Sequence, residues 1–278
     1  MSDEKRVAYP VKKIENSILK TYRSRLWAPF INAVKQYELI QEGDRIAVCI
    51  SGGKDSMLMA KLMQMLCRYS DFPFSVEYLV MDPGYNKENR RKIEDNARLL
   101  GIPITVFETN VFEVANMQLK YPCYLCAKMR RGYLYRNAKD LGCNKIALGH
   151  HLNDVIETVL MGMFYSSQIQ TMPPKLHSRN FEKMELIRPL YCIREDDIIA
   201  WRNYNGLDFL QCACSYTERN ENGENESKRK EIKELIRTLR RTNPDIEESL
   251  FNSVHNVSIT TFPCYRLSDG KHSFLEKY

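Results

Sequence analysis

The stretch Arg45-Ile46-Ala47-Val48-Cys49-Ile50-Ser51-Gly52-Gly53-Lys54-Asp55-Ser56 decides how the chain is read. Its first half is almost unbroken apolar sequence after the turn residues Glu42-Gly43-Asp44, and such runs suit strands buried on both faces of a parallel sheet. A helical pattern over 55–69 follows the two glycines, which therefore occupy the turn from strand into helix. In an open α/β sheet that turn lies outside the carboxyl end of the strand, where ligands bind. The glycines let the backbone approach phosphate oxygens, and the helix start offers unpaired N–H groups and the positive end of its dipole. Ser51 and Ser56 add hydroxyl donors and Lys54 a cation. The spacing is not that of the Walker loop, G-x-x-x-x-G-K-S/T. Ser51, Gly52, Gly53, Lys54, Asp55 and Ser56 are expected to cradle phosphate.

Outward from this stretch, further apolar runs at 76–81, 102–108 and 145–148 alternate with helical patterns at 55–69, 87–100 and 128–141. Alternation of strand and helix predicts a doubly wound α/β fold with a mainly parallel sheet. An amphipathic segment over 14–37, with Pro29 marking a break or a new first turn, forms an N-terminal helical part. A helix over 153–164 follows the fourth strand, and 166–185, with Pro173-Pro174, reads as a long loop of the kind that often serves function. Beyond it a short strand at 186–190, a helix from near Arg194, a polar surface loop at 218–227 and a charged helix at 227–241 are expected. The organisation is 1–40, N-terminal helices; 41–218, nucleotide-binding domain; and 219–278, C-terminal helical extension and tail.

With 44% hydrophobic and 27% charged residues in 278, the composition is that of a globular chain and excludes a collagen-like chain, a coiled coil or a disordered tail. No apolar stretch is long enough for a membrane span. The charged opening MSDEKRVAYPVKK is unlike a secretory signal, so a cytoplasmic location is expected. Net charge is +6, but its placement matters more. Between Val114 and Lys139 stand Lys120, Lys128, Arg130, Arg131, Arg136 and Lys139 with no acid, and between Lys5 and Lys35 eight bases face Glu15 alone. Such segments suit a polyanion, although a solvated helix face has the same composition.

Nine cysteines in a reducing compartment point to metal or redox chemistry for some of them. Cys123 and Cys126 form a C-x-x-C at the start of the basic helix, where the helix N-terminus and nearby cations favour thiolates. Cys212 and Cys214 are the source of a third ligand. Zinc would want four ligands, and a Cys-x-Cys is unusual for half of such a site. An iron–sulfur cluster held by three cysteines leaves one iron open. Cys49 and Cys67 fall in apolar patterns and read as small hydrophobes; Cys143, Cys192 and Cys264 have no partner at motif spacing.

Ser51 to Ser56 matches the SGGxDS signature of the PP-loop ATP pyrophosphatases. Cys123 to Tyr165, Met172-Pro173-Pro174-Lys175-Leu176 and Ile187 to Ile198 closely resemble the TtcA-type tRNA 2-thiocytidine synthetases, and the likeness runs from about Tyr37 to about Glu218. It implies a transferase that thiolates cytidine 32 of the tRNA anticodon loop with ATP, Mg²⁺ and a [4Fe-4S] cluster on three cysteines. Where the family has a second C-x-x-C, this chain has Cys212-Ala213-Cys214, so either thiol can be the third ligand. The flanking Ala213-Cys214-Ser215-Tyr216 resembles the single-cysteine motif of 2-thiouridine synthetases and tilts the choice to Cys214. Gly149-His150-His151-Leu152-Asn153-Asp154 matches the family's GHHxDD, with Asn153 in place of the first acid; the acidic role at the ATP and metal end passes to Asp154, with Gly149 and His150 beside the nucleotide. Met81 and Asp82 end the second strand, where the adenosine is expected; a strand end and a turn into Pro83-Gly84 is the alternative reading of the same two residues.

The expected chemistry is attack of cytosine O2 on the α-phosphate, with Asp55 or Asp154 holding Mg²⁺ and Lys54, Arg130 and Arg131 meeting the developing charge. Sulfide carried on the cluster, or a persulfide, then displaces AMP; a cysteine desulfurase persulfide and free sulfide are the candidate sulfur sources. The alternatives are a 2-thiouridine synthetase, a thiolase of another acceptor, and a non-catalytic iron–sulfur protein that binds RNA or senses oxygen. A homodimer is one option that the sequence leaves open.

Overall fold

The computed structural model describes residues 11–116, 122–211 and 224–277, leaving the side chains of 115–116, 122–124, 224–227 and 277 aside. The chain divides into two compact units, one of residues 1–155 with 172–227 and one of 156–171 with 228–278.

The first unit is built on a six-stranded sheet. Its strands are β1 (Arg45–Ile50), β2 (Ser75–Asp82), β3 (Ile104–Glu108), β4 (Lys145–Ala147), β5 (Lys175–His177) and β6 (Glu185–Ile187), in the spatial order β3-β2-β1-β4-β6-β5. All neighbours are parallel except β5 on β6. The doubly wound, mainly parallel fold read from the sequence is the fold observed. Sequence order runs outward in opposite directions from β1, through β2 and β3 on one side and β4 and β6 on the other. A crevice therefore opens at the carboxyl ends of β1 and β4.

Residues 46–50 of β1 are buried without interruption, as the central strand of a sheet covered on both faces must be. On one face α6 (Pro122–Asp140) places Tyr135 and Ala138 in a core with Ala47, Cys49, Leu79 and Ile146. The helix α3 (Lys54–Tyr69) buries nearly all of Ser56 to Met63, and α4 (Lys87–Leu100) ends on Gly101, whose left-handed φ of 63° closes the helix.

The N-terminal part comprises α1 (Val11–Asn16), two π-helical turns (Ser17–Thr21 and Arg23–Trp27) and α2 (Ala28–Gln36), with Pro29 in the first turn of α2 as its fixed φ favours. The buried Ser17 hydroxyl accepts from Trp201 Nε1 at 3.2 Å and from Asn205 Nδ2 at 3.1 Å, tying this part to α8 (Glu195–Tyr204).

Three expectations change. The segment 166–185 is not wholly loop, because β5 lies within it. The strand expected at 186–190 is Glu185–Ile187; it stops before Pro189, which has no N–H to give a ladder. The helix expected from 128 begins at Pro122. A short helix, α5 (Val111–Asn116), precedes it.

The second unit holds the end of α7 (Leu152–Ser166), then α9 (Glu224–Thr242), α10 (Ile246–Ser253) and an antiparallel hairpin of β7 (Cys264–Leu267) and β8 (Gly270–Ser273). The polar loop expected up to 227 thus gives way to helix from Glu224, and the hairpin lies in the expected tail. Glu157, 2% exposed, is met by Arg229 at 3.1 Å and Lys233 at 3.7 Å. Among the described residues no helix is long and apolar enough to cross a membrane.

Candidate active site

A cleft of about 330 Å³ lies at the carboxyl ends of β1 and β4, lined by Ser51, Asp55 and Ser56 of the glycine loop, Met81 at the end of β2, Arg130 and Leu134 of α6, and Gly149, His150 and Asp154 after β4. Strand order brings together residues about 100 positions apart, in the crevice where the topology reverses.

The loop is shaped by close packing. Gly52 has φ +87°, and a Cβ there would stand 2.6 Å from Ile93 Cγ1 and 2.9 Å from Leu210 Cδ1, so both conformation and space require glycine. Ser56 closes the loop: its hydroxyl donates to Gly53 O at 2.9 Å and accepts from Ser51 N and Ser51 Oγ, each at 3.2 Å. Its one proton is thus engaged within the loop. Lys54 Nζ lies 3.1 Å from Asp55 Oδ2 and 2.9 Å from Glu195 Oε1. Burial works against the Lys54 charge, but the Asp55 and Glu195 carboxylates outweigh it and raise its pKa.

Asp154 sits in the first turn of α7 and accepts the backbone N–H of His151 at 3.0 Å, a capping contact that fixes its carboxylate at the mouth of the cleft. His151 is buried, with Nε2 3.8 Å from Asp55 Oδ1. That oxygen is itself buried and without a hydrogen-bond partner. A hard cation is held by oxygen ligands, so Asp55 Oδ1, with the Asp154 carboxylate nearby in the same cleft, suits Mg²⁺. Asn153 keeps an acceptor role where the family pattern has an acid: its Oδ1 receives the Glu195 backbone N–H at 2.8 Å.

Two residues depart from their expected places. Asp82 does not line the cleft; its Oδ1 receives the N–H groups of Gly84 and Tyr85 at 2.9 and 2.7 Å, and its Oδ2 pairs with Arg90 at 2.7 Å. It closes the turn after β2. Of the two adjacent arginines, Arg130 lines the cleft and Arg131 is exposed. One residue step turns a helix by about 100°, so both cannot share a face.

Cys126 is half-buried, one turn before Arg130. Positions 126, 130 and 134 share a helix face, and Arg130 and Leu134 carry that face into the cleft. Cys123 stands three positions before Cys126 in the first turn of the same helix. Cys212 and Cys214 lie outside the described residues. The chain that leads to them is docked on the glycine loop, where Leu210 N–H donates to Gly52 O at 3.1 Å. Cys49 also lines the cleft, but burial pushes its thiol up to about 12, which keeps it neutral.

Sequence reasoning passed over Glu195 and the docking of Leu210. Glu195 stands among three acids at a helix start, Glu195-Asp196-Asp197, a composition that complementing the helix dipole explains without any role in a site.

Residues 22–237 match the PP-loop domain family, whose members bind ATP. The tRNA-cytidine(32) 2-sulfurtransferase of Aliivibrio fischeri (strain MJ11) is 34% identical over 229 residues, covering 81% of this chain and 72% of that protein. The tRNA-cytidine(32) 2-sulfurtransferase of Citrifermentans bemidjiense is 34% identical over 228 residues, covering 81% and 87%. The U34-tRNA thiolase NcsA from Methanococcus maripaludis, solved with its [4Fe-4S] cluster, superposes with a TM-score of 0.64 at 20% identity, over 82% of this chain and 77% of that one, a likeness of fold. With the PP-loop match over most of its length and relatives of this identity and coverage, the chain belongs to the tRNA-cytidine(32) 2-sulfurtransferase family of PP-loop enzymes.

Proposed function

We propose that this sulfurtransferase adenylates cytidine 32 of a tRNA anticodon loop and replaces its O2 by sulfur. The convergence of the glycine loop, Asp154 and Arg130 on the same cleft as the Cys126 face of α6 carries this reading. An ATP site beside a helix that carries a cysteine pair is what a reaction needs when it activates an oxygen and then displaces it with sulfur.

The phosphates of ATP lie over residues 51–56, with Met81, Gly149 and His150 beside the nucleotide. Asp55 and Asp154 hold Mg²⁺, which draws charge from the phosphate oxygens. Cytosine O2 attacks the α-phosphorus and pyrophosphate leaves. Lys54 and Arg130 meet the negative charge that develops there. Arg131, exposed on the next face of the helix, meets the RNA backbone as it arrives. Reaching O2 takes the base out of its stack, which costs least in an unpaired loop.

Cys123, Cys126 and either Cys212 or Cys214 hold a [4Fe-4S] cluster. When bound it supplies an iron with no protein ligand, a Lewis acid able to carry sulfur. Sulfur at the sulfide level, as free sulfide or as the outer sulfur freed from a cysteine desulfurase persulfide by a reducing thiol that forms a disulfide with the donor cysteine, bonds to C2 as the C2–O bond breaks and AMP departs; loss of the proton on sulfur leaves the C2 thiocarbonyl. The half-buried Leu148 and Leu134 walls keep water from competing for the adenylate.

The test combines anaerobic purification and reconstitution, iron and sulfide assays, and nucleoside analysis of tRNA from a deletion strain. Loss of 2-thiocytidine with iron and sulfide near four per chain supports the reading, on the count a [4Fe-4S] cluster requires. Persistence of 2-thiocytidine overturns it; loss of 2-thiouridine instead moves the target base; activity with zinc and no iron removes the cluster.

A further inference from the structure

We infer that Glu195, which lies outside the phosphate loop, is a positioning residue that aims the Lys54 ammonium at the phosphates of the nucleotide. The inference rests on the ATP-binding reading of the cleft. An ammonium has three N–H donors. In Lys54 one is directed to Asp55 Oδ2 at 3.1 Å and one to Glu195 Oε1 at 2.9 Å, and the third has no partner among the described residues. Two fixed acceptors set the direction of the remaining donor. A lysine side chain otherwise has four rotatable bonds and no preferred direction for its charge.

Asp55 is the neighbour of Lys54 and shares its helix, so it restrains the ammonium from one side only. Glu195 approaches from α8, 141 positions away, and its side chain is 20% exposed. Its own placement is fixed: its backbone N–H is bonded to Asn153 Oδ1 at 2.8 Å, on the helix that carries Asp154. Glu195 thereby ties the phosphate loop to the opposite wall of the site. Its negative charge beside a site for a polyanion disfavours ATP binding, a cost that a residue serving stability alone has no reason to carry at this position. At the start of α8, Asp196 and Asp197 already complement the helix dipole.

The test is a double-mutant cycle in the full chain with ATP and Mg²⁺ as the probe, reading the dissociation constant by calorimetry and tRNA-dependent pyrophosphate release. Glu195→Gln keeps an acceptor and removes the charge: ATP binds about fivefold tighter, the size expected of one partly exposed ion pair, with turnover within about threefold. Glu195→Ala removes the acceptor too: binding is not weakened, but turnover falls by an order of magnitude or more as the ammonium loses its direction. In a Lys54→Met background the tighter binding persists, because the removed charge repels the phosphates directly, but Glu195→Ala lowers the residual turnover by less than about twofold further. Unchanged turnover in Glu195→Ala, or an equal loss of turnover with and without Lys54, overturns the inference. Thermal melts identify a misfolded Glu195→Ala, and Glu195→Asp, which draws the acceptor back by one methylene, then decides: turnover falls by about an order of magnitude with Lys54 present and by less than about twofold in its absence. Wild-type protein that binds no ATP overturns the reading of the cleft and the inference with it. Wild-type protein that binds ATP, with a Glu195→Ala variant whose turnover is indistinguishable from it, overturns the inference alone.

Discussion

Gly149 packs against the backbone of Ser56 so closely that a Cβ on Gly149 would lie 3.1 Å from the Ser56 amide nitrogen and 3.2 Å from the Asp55 carbonyl carbon. The loop after β4 and the loop after β1 thus meet backbone to backbone, and the nucleotide site depends on that contact. Gly149→Ala must push the first turn of α3 by a few tenths of an ångström. We expect at least tenfold weaker ATP binding, measured by calorimetry, with a stability loss of about 1–3 kcal/mol, typical of overpacking.

Under the proposed function, Arg130, which lines the cleft, serves the reaction, and Arg131, which is exposed, serves the delivery of substrate. Arg130→Ala should lower turnover on the order of a hundredfold, as loss of a group that stabilises developing charge does. Arg131→Ala should leave saturated turnover within about threefold and reduce the salt dependence of tRNA binding by roughly one phosphate contact. Single-turnover thiolation and filter binding at several salt concentrations read the two effects.

Asp82 predicts a pH dependence of stability. Burial opposes its ionisation, but the Tyr85 N–H, the Arg90 guanidinium and the Gly84 N–H outweigh it and hold the carboxyl below the usual carboxylate range. A depressed folded-state pKa contributes stability that is fully present above the unfolded value, about 3.9, and is lost as pH falls through the lower folded value. Asp82→Asn should therefore cost about 1–3 kcal/mol at pH 7. Urea titrations should show the gap between variant and wild type closing below about pH 4.

Cys212→Ser and Cys214→Ser distinguish the third cluster ligand. Substituting the ligand should abolish the iron–sulfur absorbance after anaerobic reconstitution, while substituting its neighbour should leave iron content within about 20% of wild type, since a thiol outside the coordination shell adds no ligand. The same measurement on Cys126→Ser should show loss of the cluster.

Several elements were legible because their signal is local. The run over 45–50 and the glycines after it mark a strand, a turn and a helix start within a dozen residues, and the structure follows that reading closely. Short elements escaped. Strand β5 is three residues long, too few for alternation to register, and it exists because β6 offers it an edge. The hairpin of β7 and β8 has four-residue strands and was absorbed into an expected tail for the same reason. In the site, Ser51, Gly52, Gly53 and Asp154 were readable from motif and position, whereas Asp82 passed for a nucleotide residue because a strand end serves both purposes.

What the sequence by itself determined is the kind of chemistry at each motif: a glycine loop for phosphate at the end of a buried strand, and a cysteine pair at the start of a basic helix. Those are properties of neighbouring residues, set by backbone conformation and side-chain type. The tertiary structure alone decided which side chains meet. Arg130 instead of Arg131 faces the cleft through the phase of α6 on the sheet, and Glu195 reaches Lys54 across 141 positions. Both follow from strand order and helix packing, which fix side-chain directions over distances that no local pattern spans.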